Sequence, residues 1–265
     1  MTVLDDLSEP KTLLIPMMDF PAELEDESNR WFDSDHVPER LSCDGIIACS
    51  RFQLTGIEPY GWTPAQRWTK YLNVYTLRSA DVLTSPAYLL QRDMNGGRGS
   101  SWRQERELRQ LEQGRSSPSR SLRTVWMRRP SPWQHGVQVK AIGPRVIYVV
   151  LRDVDEALDD AFNDCMDNEY IPELLSTPGF TRCERYAAGT PLQETAGRPR
   201  LMSQPRYLDI YDLTTPEVAT SRAYALYLRS VSDTWRRLEA AMSTRGSGVY
   251  LQRPSPWLLE LGDTT

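Results

Sequence analysis

The sequence predicts an α+β fold built from two tandem ferredoxin-like halves, each ordered β-α-β-β-α-β, which face their sheets together as an intramolecular α+β barrel. Three observations carry this. The stretch Asn29–Phe52 recurs as Asn163–Tyr186 at a constant offset of 134 positions, so that Pro38, Glu39, Gly45 and Arg51 answer Pro172, Glu173, Gly179 and Arg185. Apolar runs bounded by turn residues alternate with helix-like stretches in the same order in both copies. Both copies also end alike, in Trp126-Met-Arg-Arg-Pro-Ser-Pro-Trp133 and Tyr250-Leu-Gln-Arg-Pro-Ser-Pro-Trp257. The two repeats are placed at 1–135 and 141–265.

The first strands are Leu13–Met18 and Val146–Leu151, with Pro16 marking the former as an edge or bulged strand. Helices follow at Ala22–Leu41 and Glu156–Leu175, acidic in their first turns, where carboxylates complement the helix dipole. Pro38 and Pro172 remove a hydrogen bond inside this pattern, which predicts a kink or a fresh turn just after His36 and Tyr170. Gly45 and Gly179 end the helices and lead into strands Ile46–Leu54 and Phe180–Ala188. The third strands are Trp68–Leu77 and Tyr207–Leu213, where the offset shifts to 136 through a change in loop length. A second helical region starts at Ser85 and is broken at Gly96-Gly97 before resuming through Trp102–Leu111; its counterpart starts at Ser221 and runs on toward Trp235 and Met242. The tails supply the fourth strands and two proline-stiffened arms carrying Trp133 and Trp257.

The chain has 265 residues, 40% hydrophobic and 25% charged, with a net charge of −5. Basic residues between Arg98 and Arg129 are interrupted by Glu105, Glu107 and Glu112, a solvated face that does not point to nucleic acid. Cys43, Cys49, Cys165 and Cys183 lack the spacing of a disulfide framework or a metal site, and reduced thiols fit the cytoplasm. No export signal and no apolar run of membrane length is visible. Phosphate loops, nucleophile elbows and zinc-protease motifs are missing, so no metal and no cofactor is expected.

The chemistry centres on His36, one of only two histidines. A neutral imidazole exchanges protons near pH 7. Asp33, one turn earlier, is the expected orienter, and Tyr170 holds the position of His36 in the second copy. A structural role competes in each case: His36 bonded to a carbonyl freed by the kink, Tyr170 as a buried aromatic. Trp31 and Phe32 flank the histidine as substrate contacts. Tyr71, Tyr75, Tyr207 and Tyr211 lie in pairs four apart on one strand face, either lining the barrel as phenols for a ligand or packed beneath the helices. Arg51 and Arg185 are expected to form a helix-to-strand ion pair with Glu39 and Glu173. His135 is expected at the surface.

The run Trp31-Phe-Asp-Ser-Asp-His36-Val-Pro38-Glu-Arg-Leu41, followed by Gly45 and Arg51-Phe52, resembles the EthD-type branch of the dimeric α+β barrel superfamily, as two fused copies. The first copy keeps Trp31 and His36 but has Cys43-Asp44-Gly45-Ile46 where such proteins carry Pro-Gly-Phe. The second has Pro178-Gly179-Phe180 but replaces tryptophan with Cys165 and histidine with Tyr170. The resemblance implies the fold, while the superfamily's reactions range from oxygenases and isomerases to cyclases, decarboxylases and haem enzymes. The expected function is a cofactor-independent enzyme that moves protons on a hydrophobic, aromatic or polyketide-like small molecule, by isomerisation, cyclisation, dehydration or decarboxylation. His36 would be general base or acid, with Tyr170 or a barrel tyrosine stabilising an enolate or phenolate oxygen. A non-catalytic carrier or sensor, an assembly protein with a plugged barrel, and a haem enzyme ligated by His36 are the alternatives. Further pairing into a homodimer is left open.

Overall fold

The computed structural model describes residues 12–20, 22–61, 68–92, 121–129, 143–189 and 205–254. The predicted helix at Trp102–Leu111, both tryptophan arms and His135 lie outside them. Eight strands alternate with helices: β1 (Thr12–Met18), α1 (Glu25–Trp31), α2 (Val37–Leu41), β2 (Ile46–Leu54), β3 (Tyr71–Leu77), α3 (Pro86–Arg92) and β4 (Ser121–Arg128) form the first copy. The second comprises β5 (Val146–Asp153), α4 (Asp159–Cys165), α5 (Ile171–Leu175), β6 (Phe180–Ala188), β7 (Tyr207–Leu213), α6 (Arg222–Ser230), α7 (Asp233–Ala241) and β8 (Ser243–Gln252).

All strands pair antiparallel in one closed barrel, in the order β1-β3-β2-β8-β5-β7-β6-β4. Each copy contributes a sheet of ferredoxin-like order, and two seams join them. At one, Phe52–Leu54 pair with Tyr250–Gln252; at the other, Trp126–Arg128 pair with Tyr186–Ala188. The last strand of each copy therefore closes against the second strand of the other. β1 is an interior strand, bonded to both β3 and β4, which corrects the edge assignment from Pro16. Its ladder to β3 lapses at Ile15 and Pro16 and resumes at Met17↔Leu72 in unchanged register, so the missing amide is tolerated locally.

The predicted disturbance at Pro38 and Pro172 takes the form of a π-helical turn in each copy, Phe32–His36 and Met166–Tyr170. The amide of Val37 bonds the carbonyl of Phe32, and that of Ile171 the carbonyl of Met166. The widened turn accommodates a proline that has no hydrogen to give one turn back, and a fresh α-helical turn starts at Val37 and Ile171. Gly45 and Gly179 adopt φ of +90° and +98°, and a Cβ on either would come within 2.4 Å of Val82 or Val218. Glycine is demanded twice over at both positions, by the left-handed backbone and by close packing.

Side chains alternate along every strand, and the parity decides what each face does. Leu13, Ile15, Met17, Phe52, Leu72, Trp126, Val149, Leu208 and Tyr250 fill the barrel interior. Trp126 is fully buried there. The space between the sheets is thus a packed core among the described residues, not the ligand cavity that the sequence suggested. The opposite faces carry Tyr71 and Tyr75 beneath α1 and α2, and Tyr207 and Tyr211 beneath α4–α7. The second long helix of the second copy is two helices: Val231 and Ser232 break it, and the Ser232 hydroxyl accepts from the Trp235 amide at 3.1 Å as a new N-cap.

Candidate functional site

Arg51 on β2 projects beneath the helices and is fully buried. An unpaired guanidinium there would be prohibitive, so the helix supplies partners. Its Nη1 pairs with Asp33, its Nη2 donates to Asn29 Oδ1 at 2.7 Å, and its Nε donates to Asn73 Oδ1 at 3.2 Å. The second copy repeats this with Arg185: Nη1 to Asp167 at 2.8 Å, Nη2 to Asn163 at 3.1 Å and Nε to Asp209 at 3.1 Å. The expected pairing with Glu39 and Glu173 is corrected, since the carboxylates that meet the arginines stand near the start of each π turn, at Asp33 and Asp167. Asp209 brings an extra negative charge where the first copy has Asn73. Arg152, in place of Met18, neutralises it through a direct ion pair.

A tyrosine anchors each helix to its sheet beside this clamp. Tyr71 donates to Glu25 at 2.5 Å and accepts from Asn29 at 3.1 Å. Tyr207 donates to Asp159 at 2.6 Å and accepts from Asn163 at 2.9 Å. Lys70 holds Glu25 at 2.7 and 2.8 Å, as Arg206 approaches Asp159 at 3.3 Å. Burial raises the pKa of Glu25, but the hydrogen bonds from Lys70 and Tyr71 outweigh it and leave the carboxyl below its ordinary value. Burial and the bond to Glu25 push Tyr71 up to about 12.

Over the first copy's anchor lies a cleft of about 350 Å³, walled by Glu25, Asp26, Asn29, Arg30, Asp33, Gln53, Tyr71 and Arg253. Arg253 arrives from the second copy, just past β8. Its guanidinium stands 5.7 Å from the Tyr71 ring centroid, 3.7 Å from Asp33 Oδ2 and 2.8 Å from Gln53 Oε1. Arg129 plays the reciprocal part, 4.0 Å from Asp167 and 5.4 Å from the Tyr207 ring centroid.

Of the residues the sequence singled out, Asp33 and Tyr71 reach this cleft, whereas Tyr207 occupies the equivalent anchor in the other half. His36 is half-buried on the π turn, stacked on Trp31 at 4.5 Å and edge-on to Phe32 at 5.0 Å. Both Asp33 oxygens address arginines, Oδ1 that of Arg51 and Oδ2 that of Arg253. Tyr170 is core: it stacks on Trp235 at 3.9 Å, lies edge-on to Tyr227, and burial drives its pKa far up. Tyr75 and Tyr211 are buried in the helix-facing cores. Asn73 and Asp209, on the same face, are both fully buried. Trp31, Phe32, Val37, Leu14 and Tyr75 belong to one buried core cluster of the first copy.

Sequence reasoning missed Glu25, Asn29, Gln53, Lys70 and Arg253. The repeat did pair Asn29 with Asn163 and Arg253 with Arg129 by alignment. That both arginines act on the opposite copy is written only in the strand order.

No protein-family model matches the chain, and no curated protein matches it by sequence. Among solved structures it is similar to an anthrone oxidase-like protein, with a TM-score of 0.55 and 11% identity over 94% of this chain and 93% of that one. It is equally similar to a mutant chlorite dismutase from Candidatus Nitrospira defluvii, at 0.54 and 11% identity over 95% and 94%. Both likenesses span nearly the whole chain and fix the fold.

Proposed function

From the α+β barrel fold of the dimeric barrel superfamily, carried here as two halves in one polypeptide, we propose a small-molecule enzyme that works in the cleft of the first copy by proton transfer. The carrying observation is the Tyr71 hydroxyl. It sits on the cleft wall, pinned by Glu25 and Asn29, with the Arg253 guanidinium over its ring. A phenol that stays protonated to about pH 12 would turn its one hydrogen from Glu25 to a developing oxyanion, and Arg253 supplies positive charge beside it. Glu25, kept ionised by Lys70, is the carboxylate that takes up the substrate's proton as the oxyanion develops.

The walls are polar and mixed in charge, so the substrate is a small oxygen-rich molecule such as an enolisable carbonyl acid rather than an apolar polyketide. Isomerisation, dehydration and decarboxylation of such compounds all pass through an enolate-like oxygen that these donors would hold. The anthrone oxidase-like neighbour supports small-molecule chemistry on this fold.

The test is a turnover screen of enolisable carbonyl acids with the wild-type chain and Tyr71→Phe. The reading expects Tyr71→Phe to lower kcat by about 100-fold with little change in KM, the size seen when one oxyanion donor is removed. Unchanged kcat in Tyr71→Phe, on any substrate found, overturns it.

A further inference from the structure

The two anchoring tyrosines stand in the same frame but meet their arginines differently. Gln53 on β2 is the direct cross-strand partner of Tyr71, and Ala187 on β6 is that of Tyr207. Across the seams, Gln53 faces Leu251 and Ala187 faces Met127, two residues before Arg253 and Arg129. Both arginines are pinned alike at the backbone, the Arg253 amide to the Arg51 carbonyl at 2.8 Å and the Arg129 amide to the Arg185 carbonyl at 2.9 Å. Both turn Nη2 toward the aspartate of the opposite clamp, at 3.7 and 4.0 Å. They part at Nη1: Arg253 gives it to Gln53 Oε1 at 2.8 Å, and Arg129 to the Tyr207 hydroxyl at 3.4 Å.

A phenol oxygen offers one hydrogen and two lone pairs. At Tyr207 the protein takes all three: Asp159 receives the hydrogen at 2.6 Å, and Asn163 and Arg129 donate to the oxygen at 2.9 and 3.4 Å. At Tyr71, Glu25 and Asn29 take two of them, and the side chain borders the cleft. The residue at the cross-strand position accounts for the difference. The Gln53 amide oxygen competes for the guanidinium, whereas the methyl of Ala187 offers no acceptor, so Arg129 turns to the phenol.

We propose that Gln53 is a positioning residue that makes the first copy the working one. It holds Arg253 off the Tyr71 hydroxyl and leaves the third hydrogen-bond position of that oxygen to a ligand oxygen. The ligand takes the place that Arg129 fills in the second copy, where Tyr207 is a structural clamp. This deepens the proton-transfer reading of the cleft and rests on it for the role of Tyr71.

The test follows the Tyr71 phenol by NMR in the full chain, isotope-labelled at the tyrosine Cζ carbons, with its signal assigned by Tyr71→Phe. Gln53→Met removes the amide and is expected to bring Arg253 onto the phenol. A hydrogen bond donated by a cation favours the phenolate, so Tyr71 is expected to titrate about one pH unit lower. In an Arg253→Met background, the same change is expected to leave Tyr71 where Arg253→Met alone puts it. An unmoved titration in Gln53→Met, or an equal fall without Arg253, overturns the proposal. Turnover gives a second readout. On a substrate from the screen, Gln53→Met is expected to lower kcat about tenfold with little change in KM, while Ala187→Gln alters neither. Lost kcat in Tyr71→Phe beside an unchanged kcat in Gln53→Met overturns the proposal and leaves the reading of the cleft standing. Unchanged kcat in Tyr71→Phe overturns that reading instead, and the titration decides by itself whether Gln53 positions Arg253.

Discussion

Arg253 leaves the last strand of the second copy and meets Asp33 on the helix of the first, at 3.7 Å, and Arg129 returns the contact to Asp167 at 4.0 Å. Each helix-to-sheet clamp is thereby completed by the opposite copy. The clamp's buried and exposed members differ in consequence. Arg51 has no exposed surface, so Arg51→Ala strands Asp33 and Asn29 and is expected to cost about 3–5 kcal/mol in urea unfolding. Arg253→Ala removes a partly exposed cation and is expected to cost no more than about 1 kcal/mol. Equal losses would place the structural weight on the seam instead of on the buried arginine.

The second copy's extra charge pair offers a cleaner test. Asp209→Asn alone leaves Arg152 buried without its counter-ion, at a cost of roughly 3–5 kcal/mol. Adding Arg152→Met restores the Met18 and Asn73 arrangement of the first copy. The double variant is expected to recover most of the loss, with a coupling above about 1 kcal/mol in a double-mutant cycle. Additive losses would mean that Arg152 is held mainly by the Tyr170 and Trp235 rings, which lie 5.9 and 5.6 Å from it.

Glu25 has a folded pKa below its unfolded value, so its contribution to stability is present above about pH 4.5 and is lost as pH falls through the folded value. Tyr71 is shifted the other way: its contribution is complete below the unfolded phenol value near 10 and is lost as pH climbs to about 12. Lys70→Met removes the main support of the Glu25 carboxylate and is expected to flatten the acid limb of stability against pH while sparing the alkaline limb. Thermal melts from pH 3 to 11 read both; an unchanged acid limb in Lys70→Met would remove Glu25 from the account.

Gly179→Ala adds a methyl that meets Val218 at 2.4 Å on a residue of positive φ, and a loss of about 1–3 kcal/mol is expected. Val218→Ala in the same chain relieves the clash but not the backbone strain, so rescue should be partial. Full rescue, measured by unfolding midpoint, would show that packing alone demands this glycine.

The sequence by itself determined the duplication, the order of elements, the helix disturbance at Pro38 and Pro172, and the turns at Gly45 and Gly179. All of these rest on local rules, in which proline and glycine act on their own backbone and an apolar run reports its own burial. It also ranked Tyr71, Asp33 and Arg51 as residues worth following. Three-dimensional pairing decided the rest. Which face of β3 and β7 points into the barrel depends on how two sheets meet, and a one-residue change of parity turns a cavity of phenols into a helix-facing core. The partners of Arg51 and Arg185 could not be chosen among nearby carboxylates without the widened turn that aims Asp33 and Asp167 at the sheet. Arg253 sits far along the chain from the cleft it completes, and only closure of β8 onto β2 brings it there, because a barrel satisfies its edges by exchanging last strands between copies.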